Sequence, residues 1–333
     1  MPDTPSDLPF IRTAWVLSEG IAGMENQCLG LAEALGLTPA VKRISLRAPW
    51  AWLPPQIFPL PFLALTRTSD RLDPPWPDLL IACGRKSVPF AVAIKKLSGG
   101  RTYTVQTQDP KISPQFFDLV IPPAHDNLTG RNVFAITGAP HRITPVKLAQ
   151  ARDSYSSRFA NLPRPLVGVL VGGPNRSFNM TPADIDTLGK NLRRLAKENS
   201  AGFAITLSRR TPDFVAAQLR EALEGLAYDL STPASDNPYL GILALSDAFV
   251  ITADSVNMAT EAAITGKPIF LAELTGGAAK FDRFHAALTT RGIARVFDGK
   301  LAHWSYSPLN ETSRAADEIR RRLTLKLYSR GHR

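Results

Sequence analysis

Short, almost unbroken runs of apolar residues alternate along the chain with longer stretches in which apolar positions recur every three to four residues. The runs at 13–18, 78–83, 102–106, 117–121 and 132–136 read as strands, and a second series follows at 166–171, 203–207, 248–252 and 269–272. Leu79–Cys83 and Leu166–Val171 are apolar throughout, the pattern of parallel strands covered on both faces. Helical periodicity lies between them, at 24–35, 88–97, 182–198, 212–224, 256–265 and 278–291. Strand then helix, repeated, predicts an α/β chain with doubly wound sheets. A polar helical pattern over 144–160 and the stiff stretch Asn161–Pro165 interrupt the series. They set the expected boundaries: a Rossmann-like domain at 1–160, a second at 161–310, and a last helix within 311–333 that packs back on the first domain. Two such domains facing a cleft would place ligands at the carboxyl ends of the strands.

With 333 residues, 44% hydrophobic and 20% charged, the chain can bury two cores, which excludes disorder over most of its length. The net charge of +10 favours acidic partners: phosphates, anionic lipid or nucleic acid. Nucleic acid is the least expected, because the densest basic run, Arg320–Arg322, shares its helix with Asp317 and Glu318 and no aromatic residues interleave it. Cys28 and Cys83 lie far apart, so neither a disulfide framework nor a cysteine zinc site is expected, and a reduced, cytoplasmic compartment is. Met1–Arg12 carries Asp3 and Asp7 and no apolar run, unlike a signal or transit peptide. Ala48–Leu65 is as long and greasy as a membrane span, but its five prolines would strip a helix of donors, so it does not cross a bilayer. Its Trp50 and Trp52, with the positive charge, suggest peripheral docking at the inner face of the cytoplasmic membrane; a buried connector is the other reading.

Candidate chemistry clusters at the predicted strand ends. After the first strand, Glu19, Gly20, Gly23 and Gln27 form a strand-to-helix turn in which glycines admit a ligand and Glu19 offers a base, or which is only a tight turn with an exposed carboxylate. Gly84, Arg85, Lys86 and Ser87 make a second such turn, an anion cradle or an ordinary helix start. Asp109 and His125 follow two further strands; His125 beside Asp126 is either an oriented base or part of a turn after Pro122-Pro123. No metal-ligand spacing emerges from the five histidines, and Asp184-x-Asp186 follows Thr181-Pro182 as a capped helix start rather than a metal motif. In the second domain Gly172, Gly173 and Asn175 form a loop whose amides suit a phosphate, and Arg209 and Arg210 stand at the same rim. Asp254, Met258 and Glu261 share one face of the helix opened by Ser255. There Glu261 suits a ribose diol, unless it is a surface residue of an amphipathic helix closing at Gly266-Lys-Pro268.

Glu261-x4-Gly266-x-Pro268, with the Ser255 turn and the Gly172-Gly173 loop before it, resembles the donor half of GT-B glycosyltransferases, above all those that build peptidoglycan and lipopolysaccharide. Pro174 and Arg176 stand where the resembled loop has small residues. Over the whole chain the sequence resembles the "elongated mitochondria" mitochondrial-fission family, through 18–27, 49–55, 83–87, 106–110, 122–126, 172–179 and 254–268, and reads as a bacterial-type member. Plant members of that family are associated with recruiting a dynamin-related GTPase. The GT-B resemblance implies a metal-independent glycosyltransferase that takes a nucleotide-diphosphate sugar as co-substrate, without another cofactor, and builds an envelope glycan or glycolipid. Gly172, Gly173, Ser255 and Glu261 would hold the donor, Arg209, Arg210 or Lys280 would stabilise the leaving group, and Glu19, Asp109 or His125 would activate the acceptor. The alternative is a catalytically silent scaffold of the same fold that recruits a protein partner to a membrane surface.

Overall fold

The computed structural model describes residues 11–233 and 237–331. Asp3, Asp7 and His332, and with them the reading of the N-terminal stretch as free of a targeting signal, fall outside the described residues. The chain divides into two compact units, one comprising Met1–Arg142 with Asn310–Arg333 and the other Ile143–Leu309.

The first unit holds β1 (Ala14–Ser18), α1 (Ala22–Ala34), β2 (Ala40–Arg43), β3 (Leu79–Ala82), α2 (Val88–Leu97), β4 (Tyr103–Gln106) and β5 (Leu119–Val120). Its five strands are parallel in the order β2-β1-β3-β4-β5, with Val16 opposite Ile81 at the centre. The expected strand at 132–136 does not form; Val133 and Ile136 make only isolated bridges to Val120 and Pro123. Pro122 and Pro123 have no N–H to give, which interrupts the ladder beside β5, although the Ile136 amide still donates to the Pro122 carbonyl at 3.1 Å and the Ala124 amide to the Ile136 carbonyl at 2.7 Å.

The second unit holds α3 (Pro145–Phe159), β6 (Leu166–Val171), α4 (Pro182–Asn199), β7 (Gly202–Leu207), α5 (Asp213–Ala222), β8 (Tyr228–Ser231), α6 (Tyr239–Leu245), β9 (Ala248–Thr252), α7 (Val256–Ala263), β10 (Ile269–Ala272), α8 (Ala279–Thr290) and β11 (Ala294–Val296). Its six parallel strands run β11-β10-β9-β6-β7-β8. Because side chains alternate along a strand, Val167, Val169 and Val171 of β6 face Leu188, Leu192 and Leu219 of α4 and α5, while Leu166 and Leu170 face Ile242, Ala262 and Phe284 of α6, α7 and α8. Phe159 of α3 is buried in that second layer. The division between the units therefore falls ahead of α3, at 142/143, and not behind it at 160/161.

After Leu309 the chain returns to the first unit as α9 (Glu311–Gly331). Ala315, Ala316, Ile319 and Leu323 of α9 bury against Cys28, Leu31 and Ala32 of α1. Lys326 closes the contact from the side, with its ammonium 2.7 Å from the Asp118 carboxylate.

Candidate functional site

In an open parallel sheet the loops on either side of a reversal in strand order diverge and leave a crevice at the carboxyl ends. In the second unit the reversal lies between β6 and β9, and in the first between β1 and β3. The sequence candidates fall at these two places.

In the second unit the loop after β6 carries Gly172 and Gly173, and the loop after β9 carries Asp254 and Ser255. The two are tied together. Gly172 N–H donates to Thr252 Oγ1 at 2.8 Å, Gly173 N–H donates to Asp254 Oδ2 at 2.9 Å, and the Thr252 hydroxyl donates to Asp254 Oδ1 at 2.7 Å. Arg210 reaches the same carboxylate at 3.0 Å and the carbonyls of Gly173 and Pro174 at 2.8 and 3.0 Å. The approach is so close that a Cβ on Gly173 would lie 2.4 Å from the Arg210 carbonyl. This corrects the expected open cradle: the two glycine amides are already spent on side chains of the same rim, and the Arg210 charge is met by a carboxylate with no exposed surface. Asn175 is likewise used locally, its side-chain oxygen accepting from the Ser177 and Phe178 amides at 2.7 and 3.1 Å. Arg209 is exposed beside the clasp.

The loop after β6 also pairs with the loop after β10. Gly277 N–H donates to the Ser177 carbonyl at 2.7 Å and Asn179 N–H to the Thr275 carbonyl at 2.8 Å. Gly276, at φ +109°, has no room for a side chain, since a Cβ there would stand 2.5 Å from the Ser177 oxygen. Just beyond, α8 begins with Lys280, exposed and stacked 5.0 Å over the Phe281 ring. Ser255 caps α7 by accepting from Met258 N–H, while Met258 itself packs on the core. The starts of α7 and α8 stand at the same edge because β9 and β10 are neighbours in register.

Glu261 is turned into the protein, where its carboxyl takes a short hydrogen bond from the Tyr239 hydroxyl of α6. Burial pushes this carboxyl up to about 7, against the opposing pull of the tyrosine. The Tyr239 phenol is driven up in turn, by burial first and by the neighbouring carboxylate second. Near neutral pH Glu261 is therefore divided between a neutral acid that donates and a carboxylate that accepts. Sequence reasoning missed Tyr239, because Tyr239–Leu245 is a short apolar stretch without helical periodicity, and it missed Thr252, whose hydroxyl closes the clasp. It also passed over His285, whose Nε2 lies 3.0 Å from the Ala253 carbonyl and whose pKa burial lowers.

In the first unit Glu19 and the 84–87 turn do come together: the Glu19 carboxylate pairs with Lys86 Nζ at 3.0 Å and accepts from its backbone amide at 3.3 Å. Ser87 is fully buried and donates to the Gly84 carbonyl at 2.7 Å, so it does not line an anion cradle as expected, and Arg85 is the exposed cation there. Gly20 caps the turn through Ser18, at 3.1 Å, and Gly23 lies inside the first turn of α1. Gln27 is buried and accepts from Cys83 and Gln108. Glu25, which the sequence did not single out, holds Arg43 in a two-pronged pair at 2.9 Å, and that guanidinium is the main reason its carboxyl is lowered. Asp109 folds back on Lys111, accepting from its amide at 2.8 Å and pairing with its ammonium at 2.5 Å. His125 sits on the single turn Ala124–Asp126 after β5. Asp184 accepts from the Thr181 amide and hydroxyl as a capping box and also from Thr275, which accounts for the Asp184-x-Asp186 pattern. Among the described residues no group of three or more His, Cys, Asp and Glu is placed to hold a metal ion.

Two Rossmann-like α/β units with these strand orders define a GT-B-type fold. Two solved structures share it across most of their length. The Methanocaldococcus jannaschii UDP-GlcNAc 2-epimerase in complex with UDP-GlcNAc and UDP has a TM-score of 0.54 at 11% identity, over 94% of this chain and 99% of that one. A Polygonum tinctorium UDP-glucosyltransferase capable of glucosylating indoxyl has 0.51 at 10%, over 84% and 83%. At such identities the likeness is one of fold. The family model described as Mitochondrial fission ELM1 matches residues 22–323, and the chain belongs to that family. Its relatives include the Arabidopsis thaliana mitochondrial fission protein ELM1, 30% identical over 96% of this chain and 93% of the relative. An uncharacterized protein of Rickettsia prowazekii (strain Madrid E) is 27% identical over 92% and 97%.

Proposed function

We propose that the second unit binds a nucleoside diphosphate sugar at the carboxyl rim of its sheet, and that the chain transfers the sugar, without a metal, to an envelope glycan or lipid acceptor. The observation that carries this reading is Glu261: a carboxyl turned inward on the helix that starts at the reversal in strand order, with a hydroxyl already bound to it. A ribose diol presents the same chemistry as the Tyr239 hydroxyl and would take its place. The diphosphate would rest on the starts of α7 and α8, near Ser255 and Lys280, because the Gly172 and Gly173 amides are occupied. Exposed Arg209 and Lys280 would then carry the leaving-group charge. On the acceptor side, Glu19, Asp109 and His125 are the candidates; Glu19 and Asp109 each carry a lysine partner and would have to part from it to act as a base.

Of the two relatives in fold named above, the epimerase is in complex with UDP-GlcNAc and UDP and the plant enzyme is a UDP-glucosyltransferase, which supports this reading. The test is titration calorimetry with UDP, GDP, CMP and UDP-GlcNAc. Binding below the millimolar range that Glu261→Ala weakens about tenfold or more is the expected result. A folded protein that binds none of these nucleotides at millimolar concentration rules the reading out.

A second reading, a silent scaffold that recruits a protein partner to a membrane, is favoured by the self-satisfied clasp of Thr252, Asp254 and Arg210, and the plant relative is a mitochondrial fission protein. It predicts that Glu261→Ala leaves the cellular phenotype unchanged.

A further inference from the structure

The stretch between β2 and β3 is split into an inner and an outer layer. Trp50, Phe58, Phe62 and Leu65 pack on the core of the first unit: Phe58 and Phe62 each stack edge-on against Phe90 at 6.1 Å, and the Trp50 indole N–H donates to the Pro59 carbonyl at 2.9 Å. The alternate side chains have no such partner. Trp52, Ile57, Leu60 and Leu63, joined by Phe116 from the neighbouring loop, are between 52% and 78% exposed. Leu60 is held in this outward position at φ +46°, a left-handed conformation that branched residues rarely adopt. Between the stretch and α2 lies an apolar groove of about 480 Å³, lined by prolines, Phe58, Val92, Ile112 and Phe116, with Lys96 as its one charged residue.

The stretch itself is basic. Residues 42–101 hold ten Lys and Arg against three Asp; Arg43, Lys86 and Lys95 are paired with Glu25, Glu19 and Asp118, but 44–69 holds no acidic residue at all. Arg47 lies over the Trp50 ring at 5.3 Å, so cation and aromatic body are presented together. An apolar cluster exposed to this degree, with Arg47 and Lys96 beside it, fits a surface that is apolar below and negative above. A protein partner would have to offer acidic groups around a greasy centre, whereas an anionic bilayer offers both everywhere. No helix among the described residues is long and apolar enough to cross a membrane, so the contact is one of docking.

We propose that this face docks on an anionic lipid bilayer, with Trp52, Ile57, Leu60 and Leu63 inserted at headgroup depth and Arg47 and Lys96 held over the lipid phosphates. The apolar groove then receives the upper part of an acyl chain. Because the side chains involved all belong to the first unit, the proposal stands or falls independently of nucleotide binding in the second.

The test is co-sedimentation of the full chain with vesicles of phosphatidylcholine alone and with about 30% phosphatidylglycerol, at low salt and at about 0.5 M salt. The expected result is binding to the anionic vesicles, at least about tenfold weaker on the neutral ones and largely lost at high salt. Trp52→Ser with Ile57→Ser should lower binding to anionic vesicles about tenfold or more. Both side chains are largely exposed, so the variant should keep its melting temperature. Lys96→Glu with Arg47→Glu should lower binding comparably and remove most of its salt dependence. Three results would each overturn the proposal: no sedimentation with anionic vesicles at low salt, sedimentation indifferent to the Trp52 and Ile57 substitutions, or self-association that those substitutions abolish without vesicle binding by the parent. The last would assign the face to a second copy of the chain.

Discussion

Substituting Glu261 by Gln isolates the titration of one buried carboxyl. Burial lifts that carboxyl from its ordinary 4.5 to about 7, and unfolding returns it to the ordinary value. Between roughly pH 4.5 and 7 the folded chain therefore keeps a proton that the unfolded chain has released. Stability must fall as pH rises through that window, and the loss is complete above it. The full displacement corresponds to a ceiling of about 3 kcal/mol. The residue is not wholly sealed from solvent, which brings the expected figure to about 1–2 kcal/mol. Glutamine keeps the size of the side chain and an acceptor for the Tyr239 hydroxyl but cannot ionise. Scanning calorimetry of parent and Glu261→Gln at about pH 5 and about pH 8 should show equal melting of the second unit at the lower pH and a gain of roughly 2–8 °C for the variant at the higher. Parallel behaviour at both pH values, or a variant less stable at the higher pH, would show that the carboxyl is not desolvated, and the ribose-binding reading would lose its central observation.

Two other perturbations test the frame around the sites. Gly173→Ala drives a Cβ to 2.4 Å from backbone atoms of Arg210, which cannot swing aside as a side chain would, so thermal melting should fall by an amount equivalent to about 1–3 kcal/mol or more; an unchanged melting temperature would mean the clasp is looser than described. Asp118 is raised by burial, but Lys326, the Thr104 amide and Lys95 outweigh that and hold its carboxyl below the ordinary 3.8. Its contribution to stability is thus present above that value and lost as pH falls through the lowered one, so Asp118→Asn should destabilise the first unit at neutral pH and flatten the acid limb of its pH–stability curve. An acid limb as steep as the parent's would show that α9 is not anchored through this pair.

The parts of the fold that were legible in the sequence are the parts buried on both faces. Leu79–Cys83, Leu166–Val171 and Ala248–Thr252 lie in central strands and have no need of polar alternation. The three strands that sequence reasoning missed, β2, β8 and β11, are all at sheet edges, where residues such as Lys42, Asp229 and Arg295 can face solvent and the apolar signal dissolves. The site divides along a similar line. Which loops would gather at the strand reversals followed from strand ends and glycines, and Gly172–Gly173 with Asp254, or Glu19 with Gly84–Ser87, do meet. What each group would bond to was not legible, because the partners, Thr252 for Gly172 and Tyr239 for Glu261, arrive from strands and helices distant in sequence and carry no motif of their own.

The first unit depends on a helix that is made only after the second unit. Ala315, Ala316, Ile319 and Leu323 complete its core, yet all of Ile143–Leu309 is translated between Arg142 and that helix. At ribosomal speed the interval is on the order of ten to thirty seconds. Throughout it Cys28, Leu31 and Ala32 present a bare greasy stripe on the nascent polypeptide, while the inserted unit can already finish folding from a continuous stretch of chain. Premature termination anywhere before α9 thus leaves that stripe uncovered and the first unit without the helix that completes its core.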